Sequence, residues 1–141
     1  KEAYAKRSGP FGPALDFPGG TAIGISRHIV VGETMEEAMR IAEPAYSRWH
    51  TSLMKLWVDN QVEGPSFARS ILKDVQSAIE IGTDIVGNPE SVAAEIERQV
   101  EELGVNYMIC QFYFGNMAHK DAMRSLELFS TEIMQKVSAI G

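Results

Sequence analysis

Four polar residues lie on two apolar stretches that alternate like β-strands, and their types and spacing could do chemistry. Ser26 and His28 share one parity of the first stretch, and Gln111 and Tyr113 share one parity of the second. Side chains alternate across a strand, so the polar members of each stretch point to one face and the large aliphatic members to the other. This pattern suits a barrel, with the polar sets pointing inward. The same side chains would also serve as satisfied polar groups in a core that holds no ligand.

The histidines and the single cysteine do not have the spacing of metal ligands. His28, His50 and His119 are far apart in the sequence and do not pair with Cys110 at a ligand-like interval, so we predict no metal site. Cys110 lies in an apolar stretch, where we expect it to act as a small buried hydrophobic residue. Nucleophile-elbow, P-loop and dinucleotide glycine motifs do not occur in the sequence.

Composition restricts the class of partner. The chain has 141 residues, enough for one ordinary domain, and a net charge of −6 without a basic cluster. Nucleic-acid binding would favour positive charge gathered on one face, so we predict no such partner. No apolar run approaches the roughly 20 residues that span a bilayer, and the N-terminus lacks the apolar core of a signal peptide. With one cysteine and hence no internal disulfide, we expect a cytoplasmic protein.

The C-terminal part of the chain predicts a helix, a strand and a second helix in direct succession. Asn88 can cap the first helix, Pro89 fits its first position, and Gly104 can end it. The strand is predicted at Tyr107–Gly115 and the last helix at Ala122–Val137. This order is typical of α/β folds with a parallel sheet, in which chemistry lies at the carboxyl ends of the strands.

The remaining elements are predicted from proline, glycine and hydrophobic spacing. Residues 1–20 are rich in proline and glycine and predict a connector from a missing N-terminal part, which leaves 21–141 as the domain segment. The other predictions are a strand at Thr21–Val31, a helix at Met35–Trp57 that Pro44 kinks or splits, a less regular helix at Phe67–Ile81, and either a very short strand or an apolar anchor at Ile85-Val86.

Four sequence segments together resemble the C-terminal part of the bacterial luciferase-like family of flavin-dependent monooxygenases. They are RHIVVGET at 27–34, VGNPESV at 86–92, QFYFG at 111–115, and RSLELF at 124–129 followed by EIM at 132–134. The resemblance implies the C-terminal part of a TIM (β/α)8 barrel, with about two parallel strands and their flanking helices. A complete barrel takes at least about 200 residues, so the strands that carry the family's phosphate-binding and best-known catalytic residues would be absent. The catalytic residues therefore stay unknown.

The same resemblance implies a function and a set of partners. The chain would belong to a monooxygenase that uses reduced FMN, or a deazaflavin, and dioxygen to oxidise a small organic substrate, with a flavin reductase supplying the reduced flavin. Gln111, Tyr113, His28 and Ser26 would orient the flavin or the substrate. A homo-oligomer, or union with a missing N-terminal part, would cover the exposed sheet edges. The alternative is a non-catalytic, luciferase-like subunit that acts as an association module.

Overall fold

The computed structural model of the chain describes residues 22–64, 71 and 73–137. Their elements, in chain order, are β1 Gly24–Val31, α1 Met35–Asp59, α2 Val75–Glu80, β2 Asp84–Gly87, α3 Pro89–Leu103, β3 Tyr107–Gln111, α4 His119–Leu128, a π-helical turn Phe129–Ile133, and α5 Met134–Val137. The connector predicted at 1–20 and most of the first half of the helix predicted at 67–81 lie outside the described residues.

The three strands form one parallel sheet in the order β2-β1-β3. The predicted α/β class with a parallel sheet is confirmed, and Ile85-Val86 is a strand rather than a simple apolar anchor. His28 on β1 is paired with Asp84 of β2 on one side and with Gln111 of β3 on the other. The first strand of the chain is therefore the central one, with a neighbour on each side.

Helices cover both faces of this sheet. On one face Val30 and Val86 pack with α1 and α2, and on the other Ile29 and Ile85 pack with α3 and the π-helical turn. A three-stranded parallel sheet with its helices is consistent with a segment of a TIM-barrel-like fold. The described residues contain three strands where about two were predicted.

Helix α1 runs unbroken through Pro44. Thr34 caps it, since its Oγ1 accepts a hydrogen bond from Glu37 N at 3.2 Å. Proline deprives the Arg40 carbonyl of its helical partner, but Arg40 and Pro44 are both exposed, so water can replace that bond. Of the two outcomes predicted for Pro44, splitting of the helix is wrong.

Strand β3 ends at Gln111, four residues before the predicted end. The chain then turns beneath α1, and Phe114 enters the core on the α1 face. Gly115 has a φ of +62°, and a Cβ on it would lie 1.9 Å from the carbonyl oxygen of Ala45. Packing of this loop against α1 takes residues 112–114 out of the sheet, which the apolar alternation did not reveal.

The caps of α3 agree with the sequence. Asn88 Oδ1 accepts from Ser91 N at 2.9 Å, and Gly104 ends the helix in the left-handed conformation. The helix predicted at Ala122–Val137 also forms, but it begins three residues earlier, at His119, and contains the π-helical turn. Ser125 Oγ of this helix accepts from Val31 N at the end of β1. Among the described residues, no helix has both the length and the apolar character to cross a bilayer.

Candidate active-site cleft

A cleft of about 640 Å³ lies between β1 and the second half of α1. Its lining is Ser26, Arg27, His28, Tyr46, Trp49, Leu53, Ile71, Thr83, Asp84 and Gln111. The volume is within the range of small-molecule sites. The cleft meets β3 at its carboxyl end but β2 at its amino end, because His28 in the middle of β1 is in register with the last residue of β3 and the first of β2. The sequence analysis predicted a site at the carboxyl ends of the strands, and the cleft lies at that end of β3 but not of β1 or β2.

The most buried polar pair of the cleft is His28 with Asp84. The ring Nδ1 lies 2.9 Å from Asp84 Oδ1, and the two residues are 6% and 3% exposed. A carboxylate can only accept a hydrogen bond, so Nδ1 carries the proton. The sheet register sets up this pair, because paired residues of parallel strands point to the same face.

Aromatic rings hold the imidazole of His28 on three sides. Phe114 stacks on it with ring centroids 4.1 Å apart, and Trp49 and Tyr46 meet it edge-on at 4.6 Å and 6.4 Å. Two of these rings come from α1 and one from the loop after β3. Because separate elements fix the ring, its orientation in the cleft is set by the tertiary fold.

Tyr46 carries the largest electrostatic effect at the cleft. Burial raises the pKa of its phenol to about 12, and the negative charges of Asp84 and Asp74 act in the same direction. An anionic phenolate is disfavoured there because it would be desolvated beside carboxylates. Tyr46 therefore remains a neutral hydroxyl through the ordinary pH range.

The predicted site residues separate into two groups. Ser26, His28 and Gln111 all line the cleft, and Gln111 Nε2 donates to Ser26 Oγ at 2.7 Å. Tyr113 lies apart, 65% exposed, with its ring 6.5 Å from that of His119. The strand ends before Tyr113, so the alternation that would place it beside Gln111 no longer applies. A cofactor-binding role for these four residues stays a prediction.

Arg27 brings a positive charge to the edge of the cleft. Its Nε donates to Gln99 Oε1 at 2.8 Å, and its Nη1 donates to the Ser26 carbonyl at 2.9 Å. Desolvation lowers the pKa of this guanidinium, while Asp84 and Glu95 oppose that change. The contacts hold Arg27 between the cleft and the helix α3.

Sequence reasoning did not single out Asp84, Trp49 or Phe114 as site residues. Asp84 had a signal, since a carboxylate directly before the apolar pair Ile85-Val86 is unusual for the start of a buried strand. Trp49 is one of many apolar positions on a long helix, so its type and spacing do not single it out. In a strand that continues to Gly115, alternation predicts Phe114 on the face opposite to Gln111.

The cleft combines a flat aromatic wall with a short row of polar groups. Trp49 forms the wall, and Ser26, Gln111 and His28 supply hydroxyl, amide and imidazole groups. Such a site suits a planar, partly polar ring. Across the part of the chain that the structure describes, no three histidine, cysteine or carboxylate side chains gather as a metal site. Burial raises the pKa of the Cys110 thiol, which makes a nucleophilic thiolate unfavourable.

The chain was compared with known families, curated proteins and solved structures. No model of a known protein family matches the sequence. The chain is similar to the protein y4wF of Sinorhizobium fredii (strain NBRC 101917 / NGR234), with 30% identity over 115 residues, which are 82% of this chain and 33% of that protein.

Three solved structures share the fold of the chain. The monooxygenase RslO1 from Streptomyces bottropensis matches with a TM-score of 0.55 and 18% identity over 82% of this chain and 31% of its own. The second structure is the oxygenating constituent of 3,6-diketocamphane monooxygenase, a type II Baeyer–Villiger monooxygenase from the CAM plasmid of Pseudomonas putida, in complex with FMN. It matches with a TM-score of 0.58 and 19% identity over 84% of this chain and 35% of its own. The third structure, apo-MsnO8, matches with a TM-score of 0.57 and 16% identity over 89% of this chain and 37% of its own.

The likeness is one of fold. At these identities the comparison shows that the described elements are arranged as in part of these proteins, two of which are named as monooxygenases. The chain spans about a third of the length of the proteins it matches.

Proposed function

We propose that this chain forms part of the cofactor cleft of a flavin-dependent monooxygenase of the luciferase-like kind. The observation that carries the proposal is the cleft itself, which Ser26, His28, Gln111 and Trp49 line together in a fold shared with monooxygenases, one of them solved with FMN. The whole enzyme would use reduced FMN, or a deazaflavin, and dioxygen to oxidise a small organic substrate. A flavin reductase would supply the reduced cofactor.

The residues present suit the ring of a flavin better than its phosphate. The isoalloxazine ring needs a flat apolar wall and a few hydrogen-bonding groups, which Trp49, Ser26 and Gln111 provide. A phosphate needs several donors or positive charges, and Arg27 is the one cation among the described lining residues. The proposal therefore assigns the ring to this cleft and the phosphate to other parts of the enzyme.

In this assignment the residues of the chain bind and orient the flavin ring, and the cofactor supplies the oxidation chemistry. The amide of Gln111 and the hydroxyl of Ser26 present both donors and acceptors to the edge of a ring. Trp49 and Leu53 exclude water from its face. The neutral phenol of Tyr46 adds no charge to the site at ordinary pH.

The two tryptophans of α1 allow a direct test. Trp49 lines the cleft, whereas Trp57 lies two turns further along the same helix and is not among its lining residues. The chain has two tryptophans, so each single substitution leaves one reporter. We expect the Trp57→Phe protein, which keeps Trp49 in the cleft, to bind FMN saturably in a fluorescence-quenching titration, and the Trp49→Phe protein to bind FMN with lower affinity. Equal affinities in the two variants, or no binding in either, would contradict the proposal.

A second candidate is an association module without catalysis. It is favoured by two apolar side chains of β3, Tyr107 and Ile109, which are 48% and 50% exposed. Exposed apolar residues on an edge strand invite pairing with another surface. A stable oligomer that does not bind FMN would support this candidate over the first.

A further inference from the structure

We propose that His28 and Asp84 form a proton-transfer pair, in which Nε2 of His28 exchanges a proton with a molecule in the cleft and Asp84 is a positioning residue. The reaction that the pair would serve rests on the function proposed above. The chemistry of the pair itself does not depend on it.

The tautomer follows from the contact between the two side chains. Asp84 Oδ1 accepts from Nδ1 at 2.9 Å, so the neutral imidazole carries its proton on Nδ1 and its lone pair on Nε2. A carboxylate that fixes one ring nitrogen in this way makes the other a better proton acceptor. Asp84 thus sets both the orientation and the basicity of His28.

The free ring nitrogen opens on the cleft. Among the described residues, every buried side-chain nitrogen or oxygen has a hydrogen-bond partner. His28 makes its hydrogen bond through Nδ1, so Nε2 must lie in the 6% of the residue that remains accessible. His28 lines the cleft, which is where that accessible part faces.

The groups around His28 favour this role. The charged or titratable ones are Asp84 from β2, Tyr46 from α1 and Arg27 from its own strand, and Gln111 from β3 is neutral. Arg27 interacts with Asp84 and bonds to Gln99, and Tyr46 stays protonated. Asp84 is the group in hydrogen-bonding contact with the imidazole, so it dominates the choice of tautomer.

The proposed monooxygenase reaction would give a proton carrier in the cleft a role. Dioxygen, a substrate and a reduced flavin with two transferable hydrogens give an oxygenated product, water and an oxidised flavin. The atoms balance without a net proton, yet protons must reach the oxygen atom that leaves as water. His28 Nε2 would take up one of the two hydrogens of the reduced flavin as a proton and deliver it to that oxygen, and Asp84 would stabilise the cationic imidazole in between.

Diethyl pyrocarbonate tests the pair, because it acylates an accessible, unprotonated histidine nitrogen. We expect His28 to be labelled despite its burial, with the exposed His119 as an internal reference on the same protein. Labelling at each site is followed by peptide mass mapping, and His28→Asn confirms the assignment of the signal. If His119 is labelled and His28 is not, the proposal is overturned.

Asp84→Asn tests the positioning role. The asparagine amide can donate to Nδ1 and select the other tautomer, so labelling of His28 should slow about tenfold while that of His119 is unchanged. An unchanged rate at His28 in a folded variant would overturn the role of Asp84. Nitrogen-15 spectra of the unmodified protein give a second measurement, since a neutral His28 ring with its proton on Nε2 contradicts the proposal without any substitution.

Added FMN separates this proposal from the proposed function. Protection of His28 by FMN, with no effect on His119, would support both. Labelling that FMN does not slow would support the proton-transfer pair and count against flavin binding in the cleft.

Discussion

Contacts from separate elements constrain the side chain of His28. Asp84 belongs to β2, Trp49 belongs to α1, and Phe114 belongs to the loop after β3. None of these contacts is local in sequence, so the imidazole keeps its place only when the sheet, the helix and the loop are all assembled. The chemistry assigned to the cleft is therefore a property of the folded chain.

The phenol of Tyr46 gives a prediction at the scale of one residue. Its pKa is raised to about 12 by burial and by the charges of Asp84 and Asp74. The folded protein disfavours the phenolate, so the resulting stability is fully present below about pH 10, the unfolded pKa, and is lost as the pH rises through 12. An ultraviolet titration should show a tyrosinate component near pH 12 that Tyr46→Phe removes. A variant spectrum with the same late component would contradict this assignment.

Part of the cleft could be predicted from the alternation of the two strands. Alternation alone places Ser26 with His28, and the parallel register brings Gln111 to the same face. Asp84 was not predicted, because its partnership depends on which strand lies beside β1. Tyr113 was placed incorrectly with Gln111, because the end of β3 is set by packing against α1.

Among the elements, the loop after β3 connects the sheet to α1. Phe114 is buried against that helix, and Gly115 brings the backbone within contact of Ala45. The loop thereby carries one of the rings that hold His28. Its conformation should be sensitive to any side chain at position 115.

Gly115 and Gly104 form a matched pair for testing this contact. Their φ values are +62° and +61°, but a Cβ at Gly104 meets nothing within 4 Å, whereas one at Gly115 would overlap the Ala45 carbonyl. Gly104→Ala should lower the free energy of unfolding by about 1 kcal/mol, the cost of the left-handed conformation. Gly115→Ala should lower it by clearly more in denaturant unfolding. Equal losses would show that the loop does not press on α1.

Elements with local signals were predicted well, and those decided by tertiary contacts were not. Asn88 and Gly104 mark the ends of α3 through their own side-chain and backbone chemistry. Helix α1 continues through Pro44 because the turn around that residue is exposed. The exposure of a turn depends on how the helix packs, so the sequence alone does not reveal it. The central position of β1 was also not predictable, because chain order alone would suggest that β2 lies between β1 and β3. Instead, β1 pairs with both of the other strands.

As a whole molecule, the described part of the chain is a parallel sheet of three strands in which β2 and β3 are the outer strands. The outer strand β3 exposes Tyr107 and Ile109, and the matching proteins are about three times as long. A short sheet with an apolar edge strand gains stability by association. We propose that the working protein is an assembly or a longer polypeptide that completes this sheet.

The most direct measurement is a native mass spectrum of the protein with FMN present. We expect a flavin-carrying species heavier than one 15.6 kDa chain. Ile109→Lys should reduce that species, and Met123→Lys, at a similarly exposed methionine on α4, should leave it unchanged. A flavin-free chain or oligomer at saturating FMN would contradict the central claim that this cleft is part of a flavin site.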